Sequence, residues 1–196
     1  MMRVTYPDLF LFDLDGTLIE LTIDFDAIRK ALGLKGKYIL ESILRLPAGE
    51  REEKLEMLKR FEIESAKKAR LMPYAKEILD VLGDLGVGRC IVTRNCRESV
   101  EMVVERFGLD VDFIVTREDA KPKPSPEPIR LAIERFGSKP ERAIVVGDYV
   151  FDIVAGRRAG TKTALLLNER NRRFARMADY VLKSLRDVEG LLKLPR

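Results

Sequence analysis

Two aspartates separated by one residue are the first candidates for chemistry in this 196-residue chain. Asp13 and Asp15 directly follow the apolar run Leu9–Phe12. Carboxylates at positions i and i+2 of a strand end point the same way, towards whatever lies at the carboxyl edge of the strand. Because such like charges repel, they favour a divalent cation between them, most naturally Mg²⁺. Taken alone, the motif is equally typical of a solvated acidic turn, a helix cap or a calcium loop.

A second acidic pair shifts the balance towards a metal site. Asp148 follows Gly147 and the apolar run 143–146, and Asp152 opens a helical pattern. In a doubly wound sheet two such strand ends can lie side by side. Four carboxylates at one sheet edge indicate a divalent-cation site more strongly than four separate surface caps.

The groups that could bind an anion also follow apolar runs. Thr93 ends the run 90–92, and its hydroxyl and the N–H groups of a strand-to-helix turn suit phosphate oxygens. Lys121 and Lys123 lie in a proline-rich loop whose backbone has little freedom. The chain contains no histidine, which excludes Ser-His and Cys-His catalysis. Apart from two thiols, carboxylates and lysines are therefore the candidate acids, bases and nucleophiles.

The elements that position these residues follow from an alternation of patterns. Continuous apolar runs suit strands that are covered on both faces. They occupy residues 9–12, 90–92, 113–115, 143–146 and 164–167. Helical spacing separates the later runs, with Gly86, Gly108 and Gly137 where helices should end. The alternation predicts an α/β fold, a doubly wound parallel sheet with its ligand at the carboxyl ends of the strands.

One segment departs from the alternation. Residues 18–72 contain three helical patterns and no strand-like run. An ordinary long crossover is the alternative, but a crossover needs only about a dozen residues. We therefore predict a core domain of residues 1–17 and 73–196, and a small helical domain of residues 18–72 inserted after the first strand.

Composition narrows the classes of partner and compartment. The 36 basic and 32 acidic residues give a net charge of +4 and are spread along the chain, which favours solvated faces over a nucleic-acid footprint. Cys90 and Cys96 have neither metal-site spacing nor a histidine partner, so we interpret both as small apolar residues. The absence of glutamine indicates a thermophilic protein. No membrane span or signal peptide is evident, which predicts a cytoplasmic location and no membrane partner.

Four segments, in order, resemble the motifs of the haloacid dehalogenase-like (HAD) hydrolase superfamily. They are DLDGTL from Asp13, VTRN from Val92, KPSPE from Lys123 and GDYVFDI from Gly147. The resemblance covers residues 8–167 and continues through DIVAGRRAG from Asp152, which is typical of the phosphoglycolate phosphatase-like branch. It implies a Rossmann-like core, a small helical cap at residues 18–72, and a phosphoric monoester hydrolase activity.

The resemblance also implies roles for the acidic residues. Asp13 is expected to be the nucleophile that forms an aspartyl-phosphate. Asp15 is expected to protonate the leaving oxygen and later to activate water. The implied cofactor is Mg²⁺, held by the Asp13 carboxylate, the Asp15 backbone carbonyl and Asp148. Asp152 is expected to be a further ligand or a support for the others.

The phosphoryl group has its own implied partners. Thr93 and the backbone of Arg94 are expected to bind it, and Lys123 to neutralise it. Lys123 is preferred to Lys121 because only Lys123 precedes the Pro-x-Pro-acid pattern. Tyr149 is a departure, since relatives often have Ser or Thr at that position.

The acid at position 15 favours a phosphatase, because the dehalogenases of the superfamily lack an acid there and the P-type ATPases carry Thr. Two alternatives stay open, a phosphosugar mutase of the same superfamily and a phospho-aspartate signalling module. The insertion should close over the strand ends and select a small phosphorylated metabolite as substrate. We expect the protein to be a monomer or a homodimer. An anionic leaving group such as that of phosphoglycolate could meet basic residues of the insertion, unless these are solvated helix faces. These residues are Arg29, Lys35, Lys37 and Arg45.

Overall fold

A six-stranded parallel sheet forms the centre of the computed structural model, which describes residues 7–192. The strands are β1 (Leu9–Phe12), β2 (Gly88–Val92), β3 (Phe113–Val115), β4 (Ala143–Gly147), β5 (Lys162–Leu166) and β6 (Tyr180–Leu182). Their order in the sheet is β3-β2-β1-β4-β5-β6, and every neighbouring pair is parallel. The predicted α/β fold class is confirmed, and the reversal of strand order falls between β1 and β4.

Within residues 7–192, eight α-helices accompany the sheet. They are α1 (Phe25–Ala31), α2 (Ile39–Leu44), α3 (Ala48–Lys68), α4 (Ala75–Asp84), α5 (Arg97–Phe107), α6 (Glu127–Phe136), α7 (Val150–Ala159) and α8 (Val188–Leu191). Gly86, Gly108 and Gly137 follow α4, α5 and α6 with positive φ, as the sequence predicts. The sequence did not predict β6, since this three-residue edge strand leaves Val181 45% exposed and has no continuous buried run.

The apolar residues of β1 show why the sheet is covered on both faces. Leu9, Phe10, Leu11 and Phe12 have no exposed surface. Phe10 and Phe12 pack into the cluster formed with α4, α5 and α8, while Leu9 and Leu11 pack into the cluster formed with α6 and α7. Successive side chains of a strand point to opposite faces, so a continuous apolar run satisfies both layers.

Helices α1, α2 and α3, which we call the cap, form the insertion between β1 and α4. The cap has an apolar cluster of its own, which includes Ile28, Ile43 and Leu58. The two segments that join it to the core run side by side, because Ile19 pairs with Leu71 in an antiparallel bridge. The assignment of residues 18–72 to a separate domain stays a prediction.

The described residues test only some of the expectations that were drawn from composition. Cys90 and Cys96 are buried free thiols. Within residues 7–192, no helix combines the length and the apolar character that crossing a bilayer requires. The first six residues, on which the signal-peptide expectation depends, and the last four lie outside the described residues. The cytoplasmic location, the oligomeric state and the thermophilic character stay predictions.

Candidate active site

Three of the residues singled out in the sequence directly follow three neighbouring strands. Asp13 follows β1, Thr93 follows β2, and Asp148 follows β4. The N–H group of Asp13 donates to the carbonyl of Val146 at 2.9 Å, which continues the β1–β4 pairing past the end of β1. The parallel register therefore brings these side chains to one edge of the sheet.

The ammonium group of Lys123 lies at the centre of this edge. Its side chain is 2% exposed, and Nζ donates to Asp13 Oδ1 at 2.8 Å, to Asp152 Oδ1 at 2.5 Å and to the Val92 carbonyl at 2.6 Å. Burial disfavours the charged amine, but Asp13 and Asp152 outweigh burial and raise the pKa of Lys123. Lys121 is exposed. Of the two lysines, the structure brings only Lys123 to the acidic residues.

Three carboxylates form a compact group that could hold a cation. Asp13, Asp148 and Asp152 each offer an oxygen within 4.8 Å of the others. Burial, together with the charges of Asp13 and Asp152, raises the pKa of Asp148 to about 8. Three carboxylates, one buried and two half-buried, leave negative charge uncompensated beside one ammonium group, and oxygen ligands suit Mg²⁺. The residues present therefore fit a divalent cation.

Asp152 is bonded through both of its oxygens. Oδ1 accepts from Lys123, and Oδ2 accepts from the N–H of Tyr149 at 3.1 Å. The second bond closes the first turn of α7, where Asp152 is the third residue. This geometry favours the expected supporting role of Asp152, because its carboxylate holds both the Lys123 ammonium group and the first turn of α7.

Two glycines allow the acidic groups to approach the backbone. Gly16 has φ +78°, and a Cβ there would lie 2.4 Å from Asp148 Oδ2. A Cβ on Gly147 would lie 2.3 Å from the Cγ of Asp152. A larger residue at either position would displace a carboxylate of the site.

Asp15 differs in its surroundings from the other acids. Its Oδ2 accepts from Asn95 Nδ2 at 2.6 Å, and its carboxylate is not part of the group of three. Burial, then the charge of Asp13, then the charge of Glu62 raise the pKa of Asp15 to about 7. A carboxyl group with such a pKa can carry a proton near neutral pH.

Arg94 joins the core to the cap through its side chain. Its guanidinium binds both oxygens of Glu41 in α2, at 2.7 and 2.8 Å, and lies 4.7 Å from the ring centre of Phe151. It also donates to the backbone carbonyl of Lys123. Thr93 is buried, and its Oγ1 accepts from the N–H of Asn95 at 3.2 Å. The backbone of the 93–95 turn lies beside the acids, while the Arg94 side chain has its own partner.

A second ion pair between cap and core was not anticipated from the sequence. Glu62 of α3 accepts from Arg117 Nη1 at 2.5 and 2.7 Å and from the N–H of Cys96 at 3.1 Å. The side chains of Glu62 and Arg117 are 5% and 7% exposed. Cys96 precedes α5 and supplies no side-chain cap, so Glu62 caps this helix from the cap.

All three asparagines of the chain lie at the site. Asn95 holds Asp15, while Asn171 Nδ2 donates to the carbonyl of Asp148 at 2.8 Å. Asn168 is bonded to Asn171 and contacts Asp148 at 3.4 Å. The chain has no other side-chain amide, so the rarity of asparagine in the sequence could have pointed to these residues.

A cavity of about 740 Å³ opens between the acidic edge and the cap. Of the four basic cap residues considered in the sequence, Arg29 and Lys37 line it, whereas Lys35 and Arg45 do not. Arg29 is paired with Asp26 at 3.0 Å. The cap thus encloses space beside the acids, and part of its basic charge is already paired.

Comparisons with known proteins agree on one family. The model of the family described as haloacid dehalogenase-like hydrolase matches residues 10–166. The pyrophosphatase PpaX of Bacillus velezensis is 35% identical over 175 residues, covering 79% of this chain and 80% of that protein. The phosphoglycolate phosphatase of Aquifex aeolicus is 31% identical over 207 residues, covering 93% of this chain and 95% of that protein.

Solved structures agree with the fold. A HAD phosphatase from Thermococcus onnurineus has a TM-score of 0.71 at 24% identity, covering 95% of this chain and 98% of that chain. A hydrolase from Pseudomonas syringae has a TM-score of 0.74 at 23% identity, covering 95% and 97%.

Proposed function

This chain belongs to the haloacid dehalogenase-like hydrolase family, and we propose that it is a magnesium-dependent phosphatase that hydrolyses a small phosphomonoester through an aspartyl-phosphate. The observation that carries the proposal is Asp13, a cavity-lining carboxylate fixed by Lys123 at the end of β1. Asp15, which also lines the cavity, has a pKa near neutrality. The candidate nucleophile Asp13, the candidate proton donor Asp15 and the ammonium group of Lys123 thus line the same cavity.

In the first half-reaction an Asp13 oxygen attacks phosphorus, and the bond from phosphorus to the leaving oxygen breaks. Asp15, whose pKa of about 7 leaves part of the population protonated at neutral pH, gives its proton to that oxygen. Asn95 holds the Asp15 carboxyl in place through its 2.6 Å bond. The leaving group departs as a neutral alcohol.

In the second half-reaction water attacks the phosphorus of the aspartyl-phosphate. Asp15, now ionised, accepts the proton of the attacking water. The acyl phosphate bond breaks, inorganic phosphate leaves, and the Asp13 carboxylate is regenerated. The same residue serves as acid and then as base, so one raised pKa supports both steps.

Charge neutralisation is the other requirement of phosphoryl transfer. When bound, Mg²⁺ held by Asp13, Asp148 and the Asp15 carbonyl would supply positive charge to the phosphoryl oxygens. Lys123 adds a fixed ammonium, and the Thr93 hydroxyl with the Arg94 backbone N–H offers hydrogen bonds.

The names of the relatives suggest two comparison substrates, phosphoglycolate and pyrophosphate. The proposal is tested by measuring phosphate release from a panel of phosphomonoesters and pyrophosphate, with Mg²⁺ or with excess chelator. We expect Mg²⁺-dependent release from at least one small monoester. Full activity in chelator would contradict the metal requirement, and isomerisation without phosphate release would indicate a mutase.

The nucleophile is tested by replacement. Asp13→Asn should abolish turnover and the acid-quenched phosphoprotein while leaving the fold intact, because an amide keeps the shape of the side chain but is not a nucleophile. The control Asp80→Asn makes the same change at a half-exposed carboxylate on α4 and should behave as wild type. Substantial Mg²⁺-dependent activity in Asp13→Asn would rule out Asp13 as the nucleophile.

A further inference from the structure

Three aromatic side chains line the cavity beside the acidic residues. Tyr38 comes from the cap, immediately before α2, while Tyr149 and Phe151 come from the start of α7. The ring centres of Tyr38 and Phe151 are 5.0 Å apart, and those of Tyr149 and Phe151 are 5.1 Å apart. We call these three rings the aromatic wall.

The aromatic wall begins next to the phosphoryl site. Tyr149 directly follows Asp148, and Phe151 directly precedes Asp152. Tyr38 contacts Phe151 from the cap, so cap and core together build the wall. The part of a substrate that is attached to the phosphoryl group would therefore contact the rings directly beyond the acidic edge.

The apolar surface around the aromatic wall is larger than a two-carbon leaving group could cover. Leu21 and Phe25 of the cap line the same cavity and are 37% and 46% exposed. A cavity of about 740 Å³ lies in the size range that holds a drug-sized molecule, and such sites are mainly apolar with a few polar groups. Here the acidic edge supplies one set of polar groups, and charged side chains such as Arg29, Lys37 and Arg173 supply others.

Two of the arginines that line the cavity are paired within the protein, while Lys37, Arg170 and Arg173 also line it. Arg94 is bound at both of its terminal nitrogens by Glu41, and its guanidinium lies over Phe151. Arg29 is paired with Asp26. Two of the arginines that could have met an anionic leaving group thus have carboxylate partners within the protein.

We propose that the substrate is a phosphomonoester whose leaving group carries a planar aromatic ring bound against the aromatic wall. Tyr38, Tyr149 and Phe151 are then specificity-determining residues, since stacking discriminates rings from saturated groups. This inference rests on the proposed phosphatase function and names the substrate class of the same site.

The test compares substrates that break the same bond. Adenosine 5′-monophosphate and ribose 5-phosphate both release a primary alcohol, and they differ by the base. Benzyl phosphate and propyl phosphate form a second pair of alkyl phosphates with and without a ring. With Mg²⁺ present, kcat/KM should be about tenfold higher for the ring-bearing member of at least one pair, because one ring stacked on aromatic side chains contributes about that factor.

Variants assign the preference to the aromatic wall. Tyr38→Leu and Phe151→Leu should each reduce the kcat/KM ratio within the pair towards one. Phe61→Leu is the control, because Phe61 is a partly exposed aromatic residue of the same cap that does not line the cavity. It should keep the wild-type ratio. The ratio is insensitive to a general loss of folded or active enzyme.

The outcomes separate this inference from the function on which it rests. Phosphate release with equal kcat/KM within both pairs would overturn the ring preference and leave the phosphatase proposal standing. An unchanged ratio in both Tyr38→Leu and Phe151→Leu would show that the rings only pack cap against core. Absence of phosphate release from every ester would overturn the phosphatase proposal itself.

Discussion

Replacing Glu62 by glutamine should destabilise the protein strongly, although Glu62 lies in the cap, on a helix with many exposed charges. Its carboxylate is 5% exposed, pairs with Arg117 through two contacts of 2.5 and 2.7 Å, and accepts from the N–H of Cys96. Glutamine has nearly the same volume. It can still accept from Cys96, but it removes the charge that compensates Arg117.

The size of the effect follows from what is left behind. Removing one member of a buried ion pair costs about 3–5 kcal/mol, because the other charge stays buried without a partner. Since Glu62→Gln keeps the bond to Cys96, we expect the lower end, about 3 kcal/mol. For a chain of this size that loss corresponds to a fall in Tm of about 6–12 °C.

Urea unfolding of the full chain measures the change, with Glu64→Gln as the matched control. Glu64 makes the same kind of contact with Lys67 at 2.6 Å two positions along α3, but both side chains are more than half exposed. That variant should unfold at the wild-type midpoint. Arg117→Leu should cost less in the Glu62→Gln background than in the wild type. Equal midpoints for Glu62→Gln and Glu64→Gln would refute the assignment of a buried, stabilising pair.

Three further predictions concern the acidic edge. Lys123→Ala should lower kcat/KM far more than Lys121→Ala, because only Lys123 reaches the acids, and equal losses in steady-state assays would contradict this. Burial and neighbouring charges raise the pKa values of Asp15 and Asp148 from 3.8 to about 7 and about 8. Between pH 3.8 and these raised values, the folded metal-free protein therefore binds more protons than the unfolded chain. Its Tm should therefore fall as pH rises from 5 towards 8, and Mg²⁺ should stabilise it more at pH 8; a metal-free Tm that rises over this range would refute the shifts. Ca²⁺ in place of Mg²⁺ should inhibit phosphate release, since it prefers more ligands at longer distances, and full turnover with Ca²⁺ alone would be inconsistent with that view.

Much of the core could be predicted because local patterns determine it. Asp13, Thr93 and Asp148 each follow an apolar run, and the carboxyl ends of parallel strands meet at one edge. The helix ends at Gly86 and Gly108 could be predicted for the same reason. These features depend on neighbours in sequence, which a single chain displays directly.

The contacts between cap and core could not be predicted in this way. Glu62 is one of many acidic residues on α3, and its partner Arg117 is 55 positions away. Nothing in the helical spacing distinguishes it from the exposed Glu64. Arg94 was expected to act through its backbone, and its pairing with Glu41 depends on how the cap lies over the sheet.

The pairing of Ile19 with Leu71 makes the whole cap equivalent to a single surface loop of the core. The chain leaves and re-enters the core around the sheet at adjacent points, so the length of the insertion changes the closure entropy of the core only slowly. None of the strands, nor the helices packed on them, passes through the cap. Substitutions that reshape the aromatic wall from the Tyr38 side can therefore accumulate without disturbing the register that holds Asp13 beside Asp148. Evolution can alter the choice of substrate in one segment while the chemistry is conserved in another.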